Sequence, residues 1–133
     1  MTKGNIAIVR ALYAGFAVAD VEGVLALVDP NARWEYIGRN ADNPAFGVRI
    51  GHEGVRQFFR ELSQNEHILE FSPQGFYGRK DKVFVVGYAD YITKTTGVRA
   101  SGDWAHILTL KGGKVVALKE FADTVFVAAA NQV

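Results

Sequence analysis

Apolar residues recur at helical spacing in the first segment, at Ile6, Val9, Tyr13 and Phe16 with Ile8 and Leu12 beside them, which predicts an amphipathic helix over about Lys3–Ala19. Asp20 then stands as the cap of a second, shorter helix. Its apolar residues Val21, Val24, Leu25 and Val28 stop at Asp29-Pro30, where proline ends the pattern. Alternation takes over at Arg33–Ile37, a first strand, followed by a stretch from Gly38 to Ile50 rich in Gly, Asn and Pro that reads as the longest loop. A loop of that length in a small domain is more often functional than idle. Within it, Pro44 and Phe46 form either a lid or plain surface. Val55, Phe58, Phe59 and Leu62 mark a third helix beginning near His52.

From Ile68 onward the chain reads as strands joined by turns: Ile68–Phe71, Val83–Thr93, Val98–Leu110 and Lys114–Ala122. An alanine-rich tail, Thr124–Asn131, reads as a short helix capped by Asp123. Helices first and antiparallel strands second predict a single α+β domain, residues 1–133, in which helices cover one face of a sheet.

Hairpin loop length decides which residues stand opposite one another. Read as a three-residue loop, Thr95-Thr96-Gly97 places Lys94 opposite Val98, Tyr88 opposite Trp104 and Val86 opposite His106. Read the same way, Lys111-Gly112-Gly113 places His106 opposite Leu118 and Trp104 opposite Glu120. One face then carries Val86, Tyr88, Asp90, Trp104, His106, Leu108, Leu118 and Glu120, a mixture of apolar walls and a few polar groups suited to a small molecule. The other face holds Val85, Gly87, Ala89, Tyr91, Ala105, Ile107, Thr109, Ala117 and Phe121. That second face is too apolar to stay wet, so it is expected to pair two copies of the chain or to recruit another protein as an adaptor surface. A two-residue turn at Gly112-Gly113 would instead set Glu120 opposite Ala105 and split the constellation.

Composition removes several functions. The 133 residues are 49% hydrophobic and include no cysteine, so disulfides, thiol nucleophiles and cysteine-ligated metals are excluded. Fifteen basic against fourteen acidic residues, a net charge of +1, give no field to gather nucleic acid or anionic lipid. The cluster Arg79, Lys80, Asp81, Lys82 is a charged turn. The longest apolar run, Val125–Ala130, is six residues, well short of a membrane span, and Arg10 interrupts the apolar start. A soluble, cytoplasmic protein is the expectation. His52, His67 and His106 are scattered without metal-ligand spacing, and neither a phosphate loop nor a nucleophilic elbow is present. No cofactor and no metal are expected, and proton transfer is the chemistry left open.

Within that chemistry Glu120, alone in an apolar strand between Lys119 and Phe121, is the candidate general base or acid, or else a hydrogen-bond acceptor for Trp104. His106 lies diagonally from it and is the second catalytic candidate, its tautomer set by the carboxylate. Tyr36, Trp34, Tyr88, Asp90, Trp104 and Leu118, with Phe16 and Phe58 from the helices, complete the expected substrate-binding wall.

The run Tyr13 to Asp20, Val24-Leu25-Ala26-Leu27, Trp34-Glu35, Gly51-His52-Glu53-Gly54-Val55-Arg56-Gln57-Phe58-Phe59, Gly102 to Leu108 and Gly113 to Thr124 resembles the SnoaL-like, ketosteroid isomerase-related group of the nuclear transport factor 2-like superfamily. The resemblance covers nearly the whole chain. It implies a cone: a strongly curved antiparallel sheet wrapped around the N-terminal helices, a pocket at the wide end and dimerisation through the outer sheet face. It also implies a small-molecule partner, with isomerases, cyclases, dehydratases and plain binding proteins all represented. Carried over by position, the ketosteroid isomerase base falls on Tyr36, its helix tyrosine on Leu12, next to Tyr13, and its strand aspartate on Ala105 or His106, so that catalytic set is not retained.

Overall fold

The computed structural model describes residues 2–39 and 41–123. The expected tail helix at Thr124–Asn131 lies outside the described residues. Helices α1 (Thr2–Ala17) and α2 (Val21–Leu25) precede strands β1 (Val28–Tyr36) and β2 (Gly47–Ile50); helix α3 (Gly51–Asn65) leads into β3 (Glu66–Arg79), β4 (Lys82–Thr93), β5 (Arg99–Lys111) and β6 (Lys114–Ala122). Asp20 caps α2 as expected, its carboxylate accepting from the Gly23 amide at 3.0 Å.

The strands form one curved, unclosed six-stranded sheet in the order β2-β1-β6-β5-β4-β3. The α+β architecture stands, with one difference from a wholly antiparallel sheet: β1 and β6 run parallel, bringing Trp34 beside Leu118 and Tyr36 beside Glu120. β1 also starts earlier than expected, and Val28 belongs to it rather than to a helix. Pro30 is tolerated because the pairing of β1 with β6 is interrupted between Val28 and Arg33, where no ladder amide is required. The ring Nε2 of His52, from the first turn of α3, reaches the Val28 carbonyl there at 2.7 Å.

The segment after β1 is not all loop, since Gly47–Ile50 pairs with β1 as β2. Nor is Phe46 lid or surface. Its ring is 1% exposed and meets Tyr36 edge-on at 4.5 Å, while Pro44 is exposed. Buried Arg49 ties this stretch down, donating to the carbonyls of Ala45 at 2.7 Å and Pro44 at 2.8 Å and pairing with Glu61 of α3.

β3 is much longer than the four residues its apolar pattern marks. Irregularities at Leu69 and Gln74 absorb Pro73 into the strand, and Gly75 and Gly78 dilute the alternation. The charged turn at Lys80-Asp81 joins it to β4 as expected.

Both remaining hairpins differ from the three-residue reading. The loop between β4 and β5 has four residues, Lys94 to Gly97, closed by the Thr93 amide on the Val98 carbonyl at 2.9 Å. The register therefore moves by one: Gly87, not Tyr88, faces Trp104, and Val85, not Val86, faces His106. Tyr88 and Asp90 turn to the outer face, where Asp90 is held by Arg99 at 2.6 Å, and Val85, Gly87 and Tyr91 turn inward. Gly87 matters at that position, because a Cβ there would lie 2.3 Å from the Trp104 ring.

The β5–β6 turn has two residues, Gly112 and Gly113, both left-handed with φ of 58° and 80°. This is the arrangement that should have put Glu120 opposite Ala105. It does not, because β6 carries an extra residue, Val116, between Val115 opposite Leu110 and Ala117 opposite Thr109. The bulge restores parity, and Glu120 stands directly across from His106 rather than diagonally.

The core lies between the inner sheet face and the helices, with Val9, Leu12, Val24, Val55, Trp34, Leu108 and Val115 at most 2% exposed. No helix among the described residues is long and apolar enough to cross a membrane.

Candidate active site

Between the helices and the curved sheet lies a cavity of about 1110 Å³. Eight of the residues expected in a site line it: Glu120 and Leu118 from β6, His106 and Trp104 from β5, Trp34 and Tyr36 from β1, Phe16 from α1 and Phe58 from α3. Tyr88 and Asp90 do not, for the register reason given above. Sequence patterning missed several polar residues that do, among them Tyr13, Glu66 and Tyr91.

The imidazole of His106 is 4% exposed and held on three sides. Trp104 packs against it at 4.3 Å between ring centroids, and Phe71 stacks on Trp104 at 4.5 Å with planes 5° apart. From α1, the Tyr13 hydroxyl bonds Nδ1, with its ring nearly parallel at 5.7 Å. On the far side Nε2 lies 3.3 Å from a Glu120 oxygen, within ion-pair distance but outside hydrogen-bonding alignment.

Electrostatics chooses the tautomer. Burial, and after it the charge of Glu120, pushes the Tyr13 hydroxyl above its ordinary pKa, so it keeps its proton. If Tyr13 donates to Nδ1, the imidazole proton sits on Nε2 and faces the carboxylate; the opposite tautomer would aim a lone pair at it. The first arrangement is the favourable one. It leaves a buried Nε2–H donor beside the cavity without a hydrogen-bond acceptor among the described residues.

Three more buried donors of the lining lack a partner among the described residues: the indole nitrogens of Trp34 and Trp104 and the Tyr91 hydroxyl. An unsatisfied buried donor costs roughly 1–3 kcal/mol, so four around one cavity need an explanation.

Glu66 opens β3 opposite Thr93, is 7% exposed, and accepts from the Asn43 side-chain amide at 3.4 Å. Burial pushes its carboxyl up to about 7 against the lowering effect of Asn43, with the charge of Glu120 adding to the rise. Burial and then the charges of Glu120 and Glu66 raise Tyr36; burial, Glu66 and Glu120 raise Tyr91. The two carboxyl groups and the two tyrosines thus belong to one electrostatic unit.

Why these residues escaped the sequence differs for each. Tyr13 falls on the apolar stripe of α1 and reads as core, since periodicity records a face and not a hydroxyl's partner. Tyr91 fell on the wrong face through the one-residue slip of the β4–β5 loop. Glu66 precedes the apolar positions by which β3 is recognised.

The chain resembles solved structures over its full length. An NTF2-like protein from Burkholderia xenovorans is 27% identical, with a TM-score of 0.89 over 99% of this chain and 98% of that one. TerC, crystallised with polyporic acid, is 26% identical, with a TM-score of 0.84 over 98% of this chain and 99% of its own. A Catenulispora acidiphila protein of ketosteroid isomerase-like fold, solved with trimethylamine, shares the fold at 15% identity, with a TM-score of 0.73 over 93% of this chain and 91% of that one. No curated protein matches the chain significantly. Residues 9–118 match the family model of the SnoaL-like domain, and with the fold and its neighbours in agreement the chain belongs to the SnoaL-like family.

Proposed function

We propose that the protein is an acid–base enzyme that moves a proton on a small, largely apolar carbonyl compound and needs no cofactor to do so. Glu120 takes the proton from carbon. His106, steadied by Tyr13, donates from Nε2 to the oxygen on which negative charge develops, and Tyr36 is a second donor within the same wall. The observation that supports this reading is the buried Nε2 of His106, 3.3 Å from the Glu120 carboxylate and without a hydrogen-bond partner among the described residues, in a cavity lined by Trp34, Tyr36, Phe58 and Trp104.

The test is deuterium exchange at the activated methylene of 2-tetralone, a bicyclic enolisable ketone, in D2O. The wild-type protein accelerates exchange over buffer, and Glu120→Gln lowers that acceleration about 10²–10⁴-fold, the usual contribution of a positioned proton-transfer group. Equal rates in the two proteins would remove Glu120 from the mechanism.

The orphaned indole donors also support a second reading, a binding protein without catalysis. There, polyporic acid, found with TerC, raises the melting temperature while no ketone exchanges. In either reading the outer face of the sheet, where Tyr77, Phe84, Val86 and Phe121 are exposed, pairs two copies of the chain. Sedimentation at the monomer mass would contradict the pairing.

A further inference from the structure

We propose that Glu66 is the general acid of this site, delivering a proton to the carbonyl oxygen of an enolisable ketone while Glu120 removes one from the neighbouring carbon. The proposal rests on the reading of the cavity as a proton-transfer site and adds to it the second carboxyl and the substrate class.

The placement of Glu66 is rigid. Helix α3 runs into β3 with no intervening loop, and the Asn65 carbonyl is held by the Lys94 amide at 2.8 Å. Asn43 is fully buried, and its Oδ1 accepts from the Ala45 amide at 2.8 Å. Its Nδ2 is therefore the atom that faces Glu66, as the 3.4 Å contact has it.

The surroundings of the two carboxyls differ in kind. Glu120 has the imidazole of His106 beside it. Glu66 has one neutral amide and, among the described residues, no ion pair. The titratable groups acting on it are Glu120 from β6, Tyr91 from β4 and Tyr36 from β1. Lys94, which lines the same cavity, gives its ammonium to the Ser63 carbonyl at 2.7 Å. Burial without a cation, facing an ionised neighbour, favours the protonated form of Glu66 up to about pH 7. A buried, protonated carboxyl and a second carboxyl on the wall of the same cavity supply an acid and a base at once.

The step balances. The C–H bond next to the carbonyl breaks and its proton passes to Glu120; the electron pair forms the carbon–carbon double bond. The carbonyl π pair moves onto oxygen, which takes the proton of Glu66, giving a neutral enol. Reversal returns a proton to carbon, and in D2O a deuteron that Glu120 has exchanged with solvent.

The experiment is the 2-tetralone exchange rate, corrected for buffer, from pH 5 to 9 in the wild type, Glu66→Gln and Glu120→Gln. The wild-type rate falls about tenfold per pH unit above about 7, as the acid ionises. Glu66→Gln lowers the rate at pH 6 at least about tenfold and abolishes that decline. A wild-type rate that stays flat above pH 7, or a Glu66→Gln protein with the wild-type rate and profile, overturns the role of Glu66; if Glu120→Gln is then inactive, the parent reading stands. A wild-type protein that does not accelerate exchange at all overturns both.

Discussion

The β4–β5 and β5–β6 hairpins each depart by one residue from the simplest three-residue turn, with opposite consequences for the site. At the first, a four-residue loop shifts the register and nothing compensates, so β4 presents Tyr91 to the cavity and sends Tyr88 outward. At the second, a two-residue glycine turn shifts the register and the bulge at Val116 shifts it back, so Glu120 keeps the face it shares with His106. Strand parity, with its period of two, is the quantity that decides which side chains meet, and turn length is only one of two contributions to it.

Inserting one alanine between Ala117 and Leu118 breaks this comparison most severely, whereas deleting Val116 would only remove the bulge and keep the same facing pairs. The inserted residue takes the inward place opposite Leu108, and the outer half of β6 turns over: Leu118, 2% exposed, moves to solvent and Lys119 moves into the core. Burying an unpaired ammonium while exposing a leucine is expected to cost more than about 4 kcal/mol. Urea unfolding measures the loss, and wild-type stability in the insertion variant would show that parity is set elsewhere.

That bulge also marks the limit of what could be read beforehand. The helices, the charged turn at Lys80-Asp81 and the bounds of β6 follow from local patterns, because apolar spacing and turn chemistry are local properties. The shared face of Trp104, His106, Leu118 and Glu120 was reached through a turn of the wrong length, since no local feature distinguishes Val116 from a regular strand residue. The inward side of β4 was misassigned because Thr95-Thr96-Gly97 does not disclose that Lys94 joins the loop. β2 and most of β3 were hidden for a different reason. Glycine and proline there mask strands whose pairing comes from neighbours distant in sequence.

The β4–β5 side of the comparison is sharpened by the pH dependence of stability. Glu66, paired with Thr93 at the end of β4, binds a proton in the folded protein over a range where the unfolded chain, with an ordinary value of 4.5, has released it. Folded stability therefore declines as pH rises from about 4.5 to about 7, by on the order of 3 kcal/mol. Replacing Glu66 with Gln removes that decline, so the variant gains on the wild type at pH 8 relative to pH 5. Parallel urea titrations at the two pH values check this, and a constant difference would place the Glu66 titration below that window.

The smallest effect concerns the face that β4 turns outward. Tyr88→Phe leaves ligand-induced thermal shifts and ketone exchange unchanged, whereas Tyr91→Phe, which removes an unpartnered buried hydroxyl from the cavity wall, alters both. The reverse ranking would mean that β4 presents its other face.

The tautomer of His106 tests the site most directly. In ¹⁵N-labelled protein, nitrogen chemical shifts are expected to show the proton on Nε2, with Nδ1 accepting from Tyr13, and Glu120→Gln is expected to move the Nε2 resonance. A proton on Nδ1, or an imidazole indifferent to the loss of the Glu120 charge, would contradict the arrangement from which the proposed chemistry is drawn.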